Sequence, residues 1–375
     1  MEIQKQLCLW LGLGLCLWLG PARSLSAQNY GPAARQPAGE AALNSLSSAL
    51  DAGRGTAALW NKRLEALRSV EPFSFQPTVR VSLAPAAGYE GRGPNRVWLR
   101  GFGALIRQEN KDEYLGYKYD SGGLILGYDR ELEDLPGLTL GISGAWSKGD
   151  LKNNDGLAKS DLRSVTVGLY GSYEWSSGIF MDANLGYGRG DNKTRITLTG
   201  GGGRESDYDS ESWQGGLRFG YLYQDPMGFR VIPSVGLAYF RLSQDGWQER
   251  LTSDPDQSAV AHWFQGRRTS FIEVPVQVRA DMEIELNRDL SLTPELRLGL
   301  LIEAHRPDTA LRMGFVGSDR SVMIYGPESG RNRFQIGAGV KARLTGRFDA
   351  FADYDLEIRQ KYRSHNASLG LGLSF

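Results

Sequence analysis

Much of the chain beyond residue 97 alternates between apolar and polar residues. Within 271–286, Val276 belongs to an apolar set and Arg279 to the polar set that alternates with it. The same alternation runs through 334–344 and 348–358. A period of two places alternate residues on opposite faces of a β-strand. The sequence therefore predicts an all-β fold, although a soluble sandwich would show the same alternation.

Strand length and loop length favour a transmembrane barrel over a sandwich. Several predicted strands exceed the ~5–6 residues usual in soluble proteins and suit the ~9–11 residues of a tilted membrane strand. Short turns alternate with long polar segments such as Ser243–Arg267 and Ala304–Gly330, as in outer-membrane barrels. We place twelve antiparallel strands at about 96–106, 118–131, 137–148, 161–175, 178–191, 208–224, 228–241, 268–286, 289–303, 331–344, 347–358 and 364–375.

Aromatic residues of the apolar face gather at the short-turn ends of these strands. Such rings prefer the boundary between membrane and water, where barrels carry aromatic girdles. The sequence thus predicts a transmembrane β-barrel over residues 94–375. The predicted girdle consists of Tyr128, Tyr173, Trp175, Tyr221, Tyr223, Phe229, Phe348 and Phe375.

The N-terminus has the pattern of an export signal. The apolar run Leu7–Gly20 is shorter than the roughly 20 residues of a membrane-spanning helix. The small residues Ser26 and Ala27 follow it and suit a cleavage site after Ala27. We expect residues 1–27 to be a signal peptide. Both cysteines, Cys8 and Cys16, lie within it, so we expect no disulfide or cysteine metal site in the mature chain.

Residues 28–93 form a short region with partial helical character. Trp60, Leu64 and Leu67 lie on one helical stripe, with Thr56 as an N-cap and Pro72 as a stop. The spacing predicts a helix over 56–70 that could occupy the lumen. We expect its basic residues to meet four acidic residues of the wall, Glu283, Asp349, Asp353 and Asp355. A second stripe upstream, Leu43, Leu46 and Leu50, is separated from the first by Gly53 and Gly55.

Composition and motifs indicate no catalytic, cofactor or metal site. The chain has 43 basic and 43 acidic residues, and this balance gives no reason to expect nucleic-acid binding. We interpret His262 and His305 as polar loop residues and His365 as the start of the last strand. Catalysis by a nucleophile needs a base within reach and a group that orients it. The sequence shows no such triad, so we expect a protein that is not an enzyme and carries no cofactor.

The polar face of the predicted strands carries charges of both signs. They could form a salt-bridge mesh, a polar channel lining or a seat for the helix. The lumen-lining candidates are Glu273, Arg279, Asp281, Glu283, Glu295, Arg297, Lys341, Arg343, Asp349, Asp353 and Asp355.

The barrel region resembles the β-domain of autotransporters, the type V secretion translocators. The similar stretches are 97–103, 116–129, 140–147, 352–355 and 364–375. The resemblance implies twelve strands, both barrel ends in the periplasm and a helix through the lumen. Alternating Leu371 and Leu373 before Phe375 resemble the terminal signal that the barrel-assembly machinery reads.

Two functions stay open on this basis. The first is an outer-membrane anchor that translocates or displays a very short N-terminal segment, since residues 28–93 leave little room for the family's usual passenger. The alternative is a stand-alone channel or structural surface barrel. We expect a monomer, exported through Sec, that contacts outer-membrane lipid and lipopolysaccharide.

Overall fold

The computed structural model describes residues 37–68, 94–111, 114–198, 202–252, 260–287, 290–305, 309–326, 330, 332–344 and 347–375. The predicted signal peptide and residues 28–36 and 69–93 lie outside the described residues. No helix within these ranges is long and apolar enough to cross a bilayer.

Twelve long antiparallel strands close into a barrel, as the sequence predicts. The first long strand pairs with the last along Arg96–Gln108, and the sixth pairs with the seventh, which completes the ring. The other seven described strands are short, with two to five residues each. In chain order the strands are β1 (Asn95–Gln108), β2 (Tyr117–Glu131), β3 (Leu138–Asn153), β4 (Ala158–Glu174), β5 (Ile179–Thr197), β6 (Gly203–Tyr221), β7 (Tyr223–Gln224), β8 (Phe229–Gln244), β9 (Trp247–Gln248), β10 (Arg250–Thr252), β11 (His262–Phe264), β12 (Arg267–Met282), β13 (Ile284–Asn287), β14 (Leu290–His305), β15 (Leu311–Phe315), β16 (Ser321–Ile324), β17 (Asn332–Leu344), β18 (Phe348–Arg359) and β19 (Tyr362–Ser374).

Tight turns join the strands at the end of the barrel where the chain enters and leaves it. At one of them Asp225 Oδ1 accepts hydrogen bonds from the amides of Met227 and Phe229 at 2.9 and 2.8 Å. Gly228 follows with φ of +82°, a conformation that favours glycine. Short turns mark the periplasmic end of such barrels, so the long connections lie at the cell surface.

The wall is apolar outside and polar inside. On β14, Leu296 and Leu298 are 65% and 54% exposed, while Arg297 between them is 2% exposed. Residues of the predicted girdle, including Tyr221 and Phe348, also point outward. This is the reverse of a soluble protein, where large apolar residues are mostly buried, and it fits a wall that faces lipid on the outside.

Within the described part of the chain, one helix, α1 (Pro37–Leu67), precedes the barrel. It begins well before the predicted start at Thr56, and Thr56 is not an N-cap, because its hydroxyl donates to the carbonyl of Ala52 within the helix. Glycine within a helix costs about 1 kcal/mol relative to alanine. Packing overrides this cost, since a Cβ on Gly53 would lie 2.0 Å from the ring of Phe240. The two predicted stripes therefore belong to one helix.

The long surface connections are more ordered than their polar sequence suggests. Strands β9, β11, β15 and β16 form a separate four-stranded sheet, which we call the surface sheet. The interpretation of His262 as a polar loop residue is wrong. It lies on β11 with 1% exposure, and its Nδ1 lies 2.8 Å from Glu249 Oε2. Its burial depends on pairing between distant segments, which local sequence does not reveal.

Candidate functional site: the helix-filled lumen

The surface end of α1 packs against the surface sheet. Ala38, Ala41 and Leu43 share one buried cluster with residues of this sheet, among them Trp247 and Phe264. The ring of Tyr208 stacks on Trp247 at 4.2 Å between centroids, and its hydroxyl lies 2.5 Å from Ser45 Oγ. Small alanine side chains let the helix approach closely, so this end is held by both apolar and polar contacts.

Glu40, near the start of α1, is a buried carboxyl at this end. Burial, with the nearby charge of Asp155, raises the pKa of Glu40 from 4.5 to about 7, against the opposing effect of the Leu115 amide. The docked helix keeps a proton on Glu40 up to about pH 7, whereas a free glutamate loses it near 4.5. Docking of this end is therefore strongest below pH 4.5 and weakens as the pH rises through 7.

The middle of α1 lies between an apolar and a charged part of the wall. Leu46 and Leu50 pack with Phe240 and Phe271 of β8 and β12. Arg54 forms ion pairs with Glu273 at 3.2 Å and Glu303 at 3.1 Å, and its guanidinium lies over the ring of Phe271. The helix thus contacts several strands of the barrel at one level.

Trp60 anchors the lower half of α1 in a recess of the wall. Its side chain is fully buried, and its Nε1 donates to Ser143 Oγ at 2.8 Å. Two glycines leave room for the indole, since a Cβ on Gly168 or Gly186 would lie 2.1 Å from it. Leu64 packs in the same cluster. This recess fixes both the depth and the rotation of the helix.

Buried charge pairs surround the periplasmic end of α1. Arg63 makes two hydrogen bonds to Asp129, at 2.8 and 3.0 Å, and Arg68 makes two to Asp182, at 2.6 and 2.5 Å. Lys62 pairs with Asp355 at 2.5 Å. Glu65 also pairs with Arg218 and lies 3.8 Å from Arg279. Arg63 donates from two nitrogens, and such bidentate pairs add geometric specificity as well as energy. Both bonds of Arg68 come from its Nη2.

The predicted lumen-lining residues lie on the inner face, and most pair with one another or with the wall. Arg297 contacts Asp353 at 3.0 Å and Asp355 at 3.1 Å. Four contact the helix directly: Glu273, Arg279 and Asp355 through the pairs above, and Lys341 by donating to the carbonyl of Ala66 at 2.7 Å. The other pairs among these candidates are Arg279–Asp281, Arg279–Glu295, Glu295–Arg297 and Arg343–Glu283, and Asp349 is buried.

The expectation about which acids meet the helix is largely wrong. Of the described basic residues of the predicted segment, Lys62 meets Asp355, but Arg63 and Arg68 pair with Asp129 and Asp182 on β2 and β5. A sequence signal for these acids exists, because each is a charge among apolar residues of a strand. Which acid faces which base depends on the rotation of the helix, and that rotation follows from the Trp60 recess.

The predicted assembly residues lie on the outer face of the last strand. Leu371 and Leu373 are 64% and 37% exposed, and Phe375 is exposed beside the periplasmic boundary. Leu371 pairs in register with Leu99 of β1. They belong to the lipid-facing belt and lie outside the lumen.

The fold and its interior define a class: an outer-membrane β-barrel that holds a helix of its own chain in the lumen. The family model described as autotransporter beta-domain matches residues 97–355. The chain belongs to this family, and it is an outer-membrane protein.

Relatives and solved structures agree with this assignment. The chain is similar to outer membrane protein B of Rickettsia typhi, with 22% identity over 289 residues and 74% of this chain covered. It is similar to outer membrane protein A of Rickettsia rickettsii, with 25% identity over 290 residues and again 74% covered. The chain spans 17% and 12% of the length of these two relatives.

Among solved structures, the translocator domain of the autotransporter NalP from Neisseria meningitidis has a TM-score of 0.62 and 15% identity. That comparison covers 87% of this chain and 98% of the other. The β-domain of the Bordetella autotransporter BrkA has a TM-score of 0.58 and 20% identity, over 75% and 100% of the two chains. At these identities the likeness shows the fold.

Proposed function

We propose that the barrel is a surface anchor, in which α1 remains in the lumen and holds the chain that precedes it at the cell exterior. The observation that carries this proposal is the direction of the helix. Its N-terminal end packs against the surface sheet, and Arg68 at its other end pairs with Asp182 near the periplasmic turns. A chain that runs this way leaves whatever precedes Pro37 on the outside.

The lower contacts of α1 support a helix that stays in place. Removal of one partner of a buried ion pair costs about 3–5 kcal/mol. The pairs Arg63–Asp129 and Arg68–Asp182 are both buried. Withdrawal of the helix would break both pairs and empty the Trp60 recess. These contacts favour a permanent anchor over a segment that moves in and out.

The alternative, a stand-alone channel, is less well supported. Glu65 of α1 pairs with Arg218 of β6, and Lys62 pairs with Asp355 of β18, which lies five strands away around the ring. Among the described residues, cavities of about 130 Å³, 60 Å³ and 50 Å³ lie beside the helix, and they have room for water molecules. We therefore propose a poorly conducting pore. The proposed role involves no chemical step.

The test of display is an epitope placed directly before Pro37. We expect antibody to label it on intact cells. A matched chain carries the same epitope between Ser176 and Ser177, in a turn at the other end of the barrel, and we expect labelling there after the outer membrane is permeabilised. Labelling before Pro37 that also requires permeabilisation would contradict the proposed direction of the chain.

For assembly, we propose that Leu371, Leu373 and Phe375 form the signal that the barrel-assembly machinery reads after Sec export. All three face outward from a closing strand, which supports access before the barrel closes. Deletion of Phe375 should slow insertion and leave unfolded chain in the periplasm, measured by heat-modifiable migration of outer-membrane fractions. Normal levels of folded barrel after this deletion would contradict the assignment. We propose that the assembled barrel is a monomer in contact with outer-membrane lipid.

A further inference from the structure

A row of basic residues crosses six neighbouring strands on the outer face of the barrel. Each one is the direct cross-strand partner of the next. Neighbouring strands lie ~4.8 Å apart, so the row runs for roughly 24 Å. From β19 to β5 the residues are Arg363, Arg107, Lys118, Lys152, Lys159 and Arg195.

Folding alone gives no reason for this arrangement, because like charges directly opposite each other destabilise a sheet. Acidic residues of the adjacent row neutralise part of it: Arg107 pairs with Asp120, and Arg195 pairs with Asp161. The three central lysines, 118, 152 and 159, are exposed. They form no ion pair with any residue that the structure describes. The adjacent row is a run of cross-strand partners, Asp120, Asp150 and Asp161, and Asp150 also pairs with Lys148 at 3.8 Å. Three acidic residues stand beside six basic ones, so this face keeps an excess of positive charge.

On the membrane side of this acidic row, a second group of cations borders the lipid-facing belt. Lys148 and Arg163 are cross-strand partners, and each lies two residues from an exposed apolar residue of the belt, Trp146 and Val165 respectively. Lys159 lies four residues beyond Arg163. With a strand rise of ~3.3 Å and a tilt of 35–45°, the lysines stand about 15 Å above the belt.

A ligand that fits this face must have acyl chains beside the belt and negative charge both at the boundary and well above it. A soluble polyanion would bind the basic residues but would make no contact with the apolar belt. A phospholipid head group would reach the boundary group, Lys148 and Arg163, and would stop short of the lysines. An outer-leaflet glycolipid with phosphates on its lipid part and anionic groups on its core sugars matches both levels.

We propose that the outer face of β2–β4 binds lipopolysaccharide, with Lys118, Lys152 and Lys159 contacting its anionic core and Lys148 and Arg163 contacting its lipid phosphates. Charge-assisted contacts of this kind are stronger than neutral hydrogen bonds, and salt screens them at exposed positions. The proposal rests on the outer-membrane location of the barrel. It does not depend on whether α1 remains in the lumen.

The test compares two variants of the full mature chain in detergent. The first carries Lys118→Gln, Lys152→Gln and Lys159→Gln. The second carries Arg250→Gln, Arg312→Gln and Arg320→Gln, which removes the same charge from exposed surface positions outside the lipid-facing wall. Heat-modifiable migration reports that each barrel is folded. The probes are lipopolysaccharide with a phosphorylated core, phosphatidylglycerol and heparin.

We expect the lysine variant to bind lipopolysaccharide about tenfold more weakly, while the arginine variant binds it as the parent chain does. We expect the parent to bind phosphatidylglycerol and heparin more weakly than lipopolysaccharide. Unchanged lipopolysaccharide binding by the folded lysine variant would overturn the proposal. Equal affinity for heparin would overturn it in favour of a soluble polyanion, and equal affinity for phosphatidylglycerol in favour of a general anionic-lipid surface. If the triple variant does not fold, Lys152→Gln alone should weaken binding two- to threefold, and no change would again overturn the proposal.

Discussion

Trp60 and the glycines opposite it determine where the helix sits. Gly168 and Gly186 occupy inward positions on neighbouring strands, where any larger side chain would overlap the indole. The sequence alone does not distinguish these two lumen-facing glycines from the glycines that face lipid. An apolar anchor at Trp60 could be predicted, but its recess could not, because the recess arises from residues on three strands that meet after the barrel closes.

At this scale we predict that Gly168→Val displaces the helix. The variant should lose the burial of Trp60, worth about 1.5–3 kcal/mol, and its hydrogen bond to Ser143, worth about 1 kcal/mol. Planar-bilayer recordings of the full mature chain should then show frequent openings that the parent lacks.

The matched control is Gly144→Val on β3. Gly144 is exposed, and a Cβ there would meet no atom within 4 Å, so this variant should record like the parent. Quiet recordings from folded Gly168→Val would contradict the role of the recess.

Strands could be predicted from the sequence far better than the helix or the surface connections. On β12 the alternation predicted which residues face out, and Val276 and Val278 are exposed as expected. The strands extend further at the surface end than predicted, where β5 (Ile179–Thr197) loses its apolar alternation above the membrane. The helix extends past Gly53 because of tertiary contacts, which a propensity argument omits.

For these elements we predict a difference between adjacent positions of β12. Val276→Arg places a charge against lipid and should destabilise the barrel by about 2–4 kcal/mol. Gln277→Arg lies on the inner face, beside the helix, and should cost much less. The measurement is the free energy of unfolding in urea, with the protein in lipid vesicles. Equal losses at both positions would mean that the two faces are exchanged, as a one-residue slip would do.

The whole molecule consists of a barrel wall and a helix of the same chain, α1, that fills the lumen. The composition and the alternating pattern predicted a barrel with a charged interior. They could not predict which charges pair within the wall and which pair with the helix. Arg297 pairs within the wall, whereas Asp355 serves both the wall and Lys62 of the helix. The surface sheet packs against the N-terminal end of the helix. Its strands come from segments far apart in sequence, so local patterns do not reveal how they pair.

The most direct test of the central claim is the conductance of the lumen. Planar-bilayer recordings should compare the full mature chain with a chain that begins at Gly91 and therefore lacks α1, each checked for folding by heat-modifiable migration. We predict small, rare conductance steps for the full chain and large, stable steps for the shortened one. Equal, large conductance in both would contradict a lumen held closed by its own helix.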